Sequence, residues 1–105
     1  MATKQYFYGL GRRKSASASA RLYDGKGEIT INGKTASDFL SGNAELVAKL
    51  TDPLALVDKQ GAYDITVLAK GGGVSGQVDA ICLAIAKALA SINDDLRATL
   101  SKAGY

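Results

Sequence analysis

The residues best suited to chemistry lie together in the segment Gly9-Leu10-Gly11-Arg12-Arg13-Lys14-Ser15. Three adjacent cations follow a Gly-x-Gly sequence there, between two segments that are predicted to be β-strands. Arginine donates hydrogen bonds from a planar fork and lysine carries a compact charge, so both side chains suit phosphate groups. Glycine would let the backbone of such a loop approach a partner closely. The segment indicates binding of a polyanion, with a merely solvated basic surface as the alternative.

A second segment, Lys70-Gly71-Gly72-Gly73-Val74-Ser75-Gly76-Gln77, lies between a predicted strand and a predicted helix. Free backbone N–H groups and the positive end of the helix dipole meet at such a junction and favour an anion. Phosphate binding and a tight turn that merely needs glycine both fit this pattern. The spacing of Gly71, Gly73 and Gly76 matches a dinucleotide fingerprint, but repeated strand–helix–strand units are absent. No Lys follows Gly76, as a Walker A motif requires.

The composition excludes several classes of enzyme. The 105 residues contain no His and a single Cys, Cys82. Catalytic arrangements that need His, and metal sites with His ligands, are therefore excluded, and no intrachain disulfide can form. We expect no catalytic residue, no metal and no cofactor. The length and the hydrophobic content of 47% predict a single domain over residues 1–105 with its own core.

The positive charge is concentrated in the first third of the chain. The net charge is only +3, yet residues 1–34 contain seven Lys and Arg against two acidic residues. Lys4 and Arg21 add to the cations of the first segment. Such a field attracts nucleic acid, acidic proteins or anionic membranes. No apolar run reaches the ~20 residues needed to span a bilayer, and the N-terminus lacks the apolar centre of a signal peptide, so we expect a cytoplasmic location.

A short aromatic run predicts a first strand near residues 6–8. Alternating apolar and polar residues predict three more, near residues 15–22, 28–31 and 63–69. Alanine and serine alternate in the second strand, and the small alanines indicate that something packs very close to one face. Turn residues at 24–27 and at Asn32-Gly33 predict that the first three strands form a meander.

Helical spacing appears in the remaining segments. Ser37 is predicted to cap a short helical turn, and Asn43 or Gly42 to begin a second helix that Pro53 ends. Asn93 is predicted to cap a last helix with Gly104 just beyond its end. The longest helix is predicted from about Gln77 to Ser91, with an apolar stripe of Val78, Ile81, Cys82, Ile85, Leu89 and Ile92.

The order of elements is therefore β-β-β-α-β-α-α. This order predicts an α+β protein, built as a two-layer α/β sandwich in which helices cover a four-stranded sheet.

Five motifs in this order resemble one known family along the whole chain, the ninth small-subunit ribosomal protein in its bacterial form. They are Tyr8-Gly9-Leu10-Gly11-Arg12-Arg13-Lys14-Ser15, Ile29-Thr30-Ile31-Asn32-Gly33, Pro53-Leu54, Gly71-Gly72-Gly73-Val74-Ser75-Gly76-Gln77 and Ala84-Ile85-Ala86-Lys87-Ala88-Leu89. Leu96-Arg97 and Lys102-Ala103-Gly104 match the last helix of that family.

The resemblance implies a structural protein in the head of the small ribosomal subunit. It implies binding to the 3′ major domain of small-subunit rRNA, neighbouring head proteins as partners, no membrane, and a left-handed crossover within the sandwich. The predicted rRNA-binding residues, some from the motifs and some from the basic cluster, are Lys4, Gly11, Arg12, Arg13, Lys14, Ser15, Arg21, Lys70, Gly71, Gly72, Gly73, Ser75, Gly76 and Gln77.

The sequence departs from the family pattern in two places. Family members continue past Lys-Ala-Gly into a basic tail that touches the tRNA in the peptidyl site. This sequence stops at Tyr105, so that tRNA contact is assigned to no residue here. The family has Arg and often His where this chain has Cys82 and Leu83. We expect Cys82 to be a small buried thiol.

Two other functions remain as alternatives to rRNA binding. One is a phosphate- or nucleotide-binding enzyme of the related small-molecule kinase fold, which would use Gly71 to Gln77. No acidic residue adjoins that segment to bind Mg²⁺. The other is a basic module for acidic proteins or membranes, ranked last because no amphipathic basic helix is present.

Overall fold

The computed structural model describes residues 5–59 and 61–105. Four strands, two helices, a fifth strand and two further helices follow one another in the described residues, an order close to the one predicted. The elements are β1 (Phe7–Arg13), β2 (Ala16–Asp24), β3 (Ile29–Ile31), β4 (Lys34–Thr35), α1 (Ala36–Phe39), α2 (Ala44–Leu56), β5 (Tyr63–Lys70), α3 (Val74–Ala90) and α4 (Asp94–Lys102).

The described strands form one sheet in the order β1-β2-β5-β3-β4, so the fold class α+β is confirmed and two details are wrong. The sheet has five strands rather than four, because Lys34 and Thr35 pair with β3 as a short edge strand. The predicted meander is wrong as well, since β5 lies between β2 and β3. β5 is antiparallel to β2 and parallel to β3.

The carboxylate of Asp64 on β5 explains why β3 leaves the meander. Its Oδ1 accepts hydrogen bonds from the backbone N–H groups of Lys26, Gly27 and Glu28 at 3.0, 3.2 and 3.1 Å. The connection after β2 is thus held against β5, and the N–H of Ile65 donates to the carbonyl of Glu28 at 2.8 Å. The turn signal in the sequence was real, but the strand that follows it pairs with β5.

The hairpin between β3 and β4 uses the predicted Asn32-Gly33 turn. Both residues have left-handed φ angles, 51° and 82°, as the preferred two-residue hairpin turn requires. The Asn32 side chain also exchanges two hydrogen bonds with the backbone of Ala69, which extends the pairing of β3 with β5. Helix α1 follows at once and is capped by Thr35 rather than by the predicted Ser37: the Thr35 hydroxyl accepts from the Asp38 N–H at 3.2 Å.

Helix α3 is the centre of the second layer and packs directly on β1 and β2. The predicted apolar stripe is confirmed, since Val78, Ile81 and Ile85 are fully buried. Ala80, Ala84 and Ala88 form a second buried row on the same helix, at a spacing of four residues. That second row lies along β1. The alanines therefore form a packing surface of their own.

The inner face of β1 carries glycine where this alanine row approaches. A Cβ at Gly9 would overlap the Ala84 carbonyl oxygen and the Ala88 nitrogen. A Cβ at Gly11 would overlap the Ala80 carbonyl oxygen. Helix and strand are thus in backbone contact, which only glycine on one side permits.

Asn43 and Asn93 cap α2 and α4 as predicted. Their side-chain oxygens accept from the N–H groups of Leu46 and Leu96 at 3.2 and 2.9 Å. Gly104 follows the end of α4 with a φ of 96°, the left-handed conformation expected there. α2 and α4 both pack against α3, and Leu50, Leu54 and Leu100 are buried in the core.

The prediction that Pro53 ends α2 is wrong, because the helix continues to Leu56. Proline has no N–H, so the carbonyl of Lys49 loses the partner that a helix normally provides four residues on. The Cys82 thiol takes that place, donating from Sγ to the Lys49 oxygen at 3.2 Å. Cys82 is buried as predicted, and burial raises its pKa to about 11, which keeps the donor proton in place.

The connection from β3 to β5 passes through α1 and α2 and joins two parallel, adjacent strands. Such a connection is a crossover, as the family resemblance implies. Its left-handed sense stays a prediction.

The contact between β1 and α3 predicts that Gly9→Ala and Gly11→Ala each destabilise the protein by about 1–3 kcal/mol, because two backbones must separate to admit a methyl group. Gly76→Ala is the matched control. Its Cβ would lie 3.7 Å from the Ala16 Cβ, an ordinary contact, and alanine favours the helix. Urea unfolding of the three variants measures the difference, and equal stabilities would contradict the close approach.

The contact between Cys82 and Lys49 predicts coupling between two distant substitutions. Cys82→Ala should cost about 1–3 kcal/mol, because it leaves the Lys49 carbonyl without a donor and removes a buried group. Pro53→Ala restores an N–H to the helix, so the cost of Cys82→Ala should fall in that background. A double-mutant cycle measured by urea unfolding tests this. A zero coupling energy would show that the thiol does not replace the missing amide.

Candidate nucleic-acid interface

The predicted basic loop is for the most part a strand. Residues Gly9 to Arg13 belong to β1, and Arg13 pairs with Ala16, so that only Lys14 and Ser15 form the turn. The prediction that Gly9 and Gly11 lie in a flexible loop is therefore wrong, while contact of Gly11 with RNA stays a prediction. Their missing side chains make room for the protein's own helix α3.

Strand geometry separates the two arginines. Neighbouring residues of a strand point to opposite faces of the sheet. Arg12 therefore lies on the face opposite Gly11 and α3, and Arg13 on the helix side. Both are exposed. Arg12 and Arg13 thus project from opposite faces of the sheet at its edge, and Lys14 follows them at the turn between β1 and β2.

Lys14 has a φ of 55°, in the left-handed region that favours glycine. A lysine held there costs free energy that a glycine would not, so the turn is not optimised for stability alone. The side chain is fully at the surface, at the end of the hairpin formed by β1 and β2.

The glycine-rich segment packs against this same turn. A Cβ at Gly71 would overlap the Ser15 carbonyl oxygen, and one at Gly72 would lie 3.1 Å from the Ala16 Cβ. Both glycines have left-handed φ angles, 74° and 62°. The structure therefore brings together the two segments that sequence reasoning singled out. We call residues Arg12 to Ser15 together with Gly71 to Gln77 the basic corner.

The first turn of α3 faces outward at the basic corner. Gly73 is its N-cap in an extended conformation, and no hydrogen bond from a side chain of the described residues caps the helix there. The N–H groups of Val74, Ser75 and Gly76 thus have no acceptor within the helix, where the helix dipole is positive. The side chain of Gln77 binds within the segment itself. Its Nε2 donates to the Gly71 carbonyl at 3.0 Å and holds the loop closed.

The helix side of the basic corner borders a cavity of about 180 Å³. Arg13 lines it together with Asp79, Cys82 and Tyr105. Asp79 forms an ion pair with Lys49 at 3.3 Å, and both side chains are well exposed. Such a pair contributes little to stability. Leu83 also lines this cavity and is half-buried.

The other cations predicted to bind rRNA lie at different distances from the basic corner. Lys70 ends β5 and pairs with Ser17, one strand away from Arg12. Arg21 lies further along β2, with its guanidinium carbon 5.3 Å from the centre of the Tyr6 ring, a cation–π distance. Lys4 lies outside the described residues. Contact between any of these residues and RNA stays a prediction.

Sequence reasoning missed the outward face of the sheet. Tyr8, Leu10 and Leu68 are 47%, 41% and 56% exposed on that face, although all three are large and apolar. The alternation in β2 and β5 was recognised, but only its inward residues were used to predict packing. Neither a cluster of side chains suited to a metal ion nor a helix long and apolar enough to cross a membrane occurs among residues 5–59 and 61–105.

Comparison with known proteins agrees with this architecture. A family model described as ribosomal protein S9/S16 matches residues 11–105. Small ribosomal subunit protein uS9 of Thermus thermophilus is 44% identical over 101 residues, which cover 96% of this chain and 78% of the relative. The uS9 proteins of a Synechocystis species and of Maridesulfovibrio salexigens are 39% and 43% identical over 102 residues. Each alignment covers 97% of this chain, and 74% and 78% of those relatives.

These relatives are ribosomal proteins and not enzymes, so the prediction of a chain without catalytic activity is confirmed and the kinase-like alternative is not favoured. The match extends over nearly all of the chain, including the Arg12–Ser15 turn and the glycine-rich start of α3. The chain therefore belongs to the ribosomal protein S9/S16 family.

Proposed function

We propose that this protein is a structural component of the small ribosomal subunit that binds the 3′ major (head) domain of its rRNA through the basic corner. Neighbouring head proteins would be its protein partners, and it would support translation from within the cytoplasmic ribosome. The relatives are named as small-subunit proteins, which supports the subunit. The assignment of the basic corner and of the head domain is our inference.

One observation carries the proposal: Gly71 and Gly72 pack on Ser15 and Ala16 without intervening side chains. This contact places the exposed cations of the β1–β2 hairpin beside the amide-bearing start of α3. Cationic side chains and helix N-termini are two groups that hold phosphate in nucleic-acid complexes. Here both are fixed to the same rigid edge of the sheet, so they can contact neighbouring phosphates of one RNA backbone.

The corner would recognise RNA mainly by its backbone and shape. Phosphate contacts position a protein on nucleic acid but carry no base information by themselves. Ser75 adds a hydroxyl beside the helix start, and Gln77 keeps the glycine loop closed through its bond to Gly71. We therefore assign Gln77 a positioning role and the exposed cations the direct contacts.

Removing Arg12 and Arg13 together should weaken binding to a transcript of the 3′ major domain of small-subunit rRNA. The slope of log affinity against log salt should fall by about one unit for each phosphate that the protein no longer binds, because fewer counterions are released on binding. Filter binding at several salt concentrations measures both quantities. The control is the double variant Arg97→Ala/Lys102→Ala, which removes the same charge from α4. Equal slopes for the two variants would refute the basic corner as the binding site.

Lys14→Gly should separate stability from binding. Glycine accepts the left-handed φ of this position, so the free energy of unfolding should stay within about 1 kcal/mol of the parent value or rise. Affinity for the same transcript should fall several-fold, because the variant has no charge at the tip of the hairpin. Lys14→Arg keeps the charge and should keep the affinity. If Lys14→Gly bound the transcript as the parent does, Lys14 would not contact RNA.

A further inference from the structure

None of the helices in the described part of the chain covers the second face of β1, β2 and β5. α2, α3 and α4 form a layer on the side of the buried alanines, and the other side of β1, β2 and β5 carries exposed or half-buried residues. Apart from Arg12, the residues of this open face are not part of the basic corner. They alternate with the core residues along each strand.

Strand register arranges this face in three rows that cross β1, β2 and β5. Arg12, Ser17 and Lys70 form the first row. Leu10, Ser19 and Leu68 form the second. Tyr8, Arg21 and Thr66 form the third, which continues to Thr30 on β3.

In the first two rows, β2 carries smaller side chains than β1 and β5 do on either side of it. Ser17 and Ser19 are small, whereas β1 and β5 present Leu10, Leu68 and longer side chains on either side. The backbones of β1 and β5 are about 10 Å apart, two strand spacings. The result is a shallow channel along β2 with a hydroxyl floor and partly apolar walls. We call it the serine trough, bounded by Leu10 and Arg12 on β1 and by Leu68 and Lys70 on β5.

A hollow of about 200 Å³ continues the serine trough at its far end. Ser19, Arg21, Thr30 and Thr66 line it. The Arg21 side chain is held above the Tyr6 ring, and that ring lies 5.3 Å from the ring of Tyr23. The cation at this end is therefore positioned by aromatic contacts before any partner arrives.

The charged side chains along the serine trough are all cationic. Arg12 and Lys70 lie at the end next to the basic corner, and Arg21 lies at the other end. None of the described residues of the three rows is acidic. Three cations, several hydroxyl groups and the absence of a carboxylate in these rows suit an anionic partner with many acceptors.

We propose that a single-stranded segment of the rRNA lies in the serine trough, with its ribose-phosphate backbone along β2. This proposal rests on the proposed function, because the trough opens at Arg12 into the basic corner. Arg12 and Lys70 bind one phosphate from either side of Ser17, and Arg21 binds a phosphate two rows further along β2. The Ser17 and Ser19 hydroxyls bond to phosphate oxygens or ribose 2′-hydroxyls, which act as both donors and acceptors.

The exposed apolar residues fit unstacked bases. Tyr8 is 47% exposed and is the cross-strand partner of Arg21, and bases released from a helix stack on aromatic side chains and guanidinium planes. Leu10 and Leu68 offer apolar contacts on either side of Ser19. An acidic protein segment would also meet the cations, but it would make less use of a floor that consists of hydroxyl groups. We therefore assign the trough to RNA.

The first test places a cleavage reagent in the serine trough. Ser19→Cys is labelled with an iron–EDTA reagent, and the labelled chain is reconstituted into small subunits. Cys82 does not compete, since it is buried with a pKa of about 11. We expect hydroxyl-radical cleavage confined to one short single-stranded stretch of rRNA. The matched control labels Leu56→Cys, an exposed position on α2 remote from the sheet face.

The second test measures affinity for the 3′ major-domain transcript. Leu68→Glu should weaken binding at least tenfold, because it places a negative charge in the trough at a side chain that is already 56% exposed. Leu56→Glu makes the same change at a side chain that is 43% exposed and should stay within twofold of the parent. Circular dichroism confirms that both variants fold, and the cleavage test decides if Leu68→Glu does not.

The outcomes separate this inference from the proposed function. Parent-like affinity of Leu68→Glu and no rRNA cleavage from position 19 would overturn the trough as an RNA site. Weakened binding by Lys14→Gly would still support the basic corner in that case. If both variants bound as the parent does, both proposals would fail. Crosslinking of position 19 to a ribosomal protein instead of rRNA would assign the face to a protein partner and refute the RNA proposal.

Discussion

Direct backbone packing between β1 and α3 is the interaction on which the rest of the structure depends. Gly9 and Gly11 face Ala80, Ala84 and Ala88 with no side chain between the two backbones. The helix can lie this close only because both partners have given up side-chain volume. The close approach of the β1 and α3 backbones fixes the distance between α3 and the sheet. It thereby also fixes the position of the glycine-rich turn from which α3 begins. The basic corner is therefore a consequence of core packing.

The open face follows from the same arrangement. Helices cover one side of the sheet, so every second residue of β1, β2 and β5 is available to a partner. Alanine and serine alternate along β2 because one face needs minimal volume under α3, while the other keeps hydroxyl groups at the surface. A single strand thus supplies the tightest part of the core and the floor of the serine trough.

Local signals in the sequence predicted local structure well. The Asn43 and Asn93 caps, the apolar stripe of α3 and the alternation in β2 depend on near neighbours in the chain, and all are confirmed. The errors arose where a distant residue decides the outcome. Asp64 draws the chain after β2 to β5, and Cys82 supplies the donor that lets α2 pass Pro53. Glycine before a run of cations suggested a flexible loop, because nothing within β1 reveals the alanine row that covers it.

β1 is an edge strand among residues 5–59 and 61–105, so no strand of that part of the chain pairs with its outer side. Exposed strand edges recruit other strands, and charged side chains on an edge strand oppose that pairing. Arg12 and Arg13 extend from the two faces of this edge, where a second copy of the chain would bring like charges into contact. The same residues that we assign to RNA thus discourage self-association of the free protein. If these residues bind RNA as proposed, the phosphates would neutralise that repulsion on assembly.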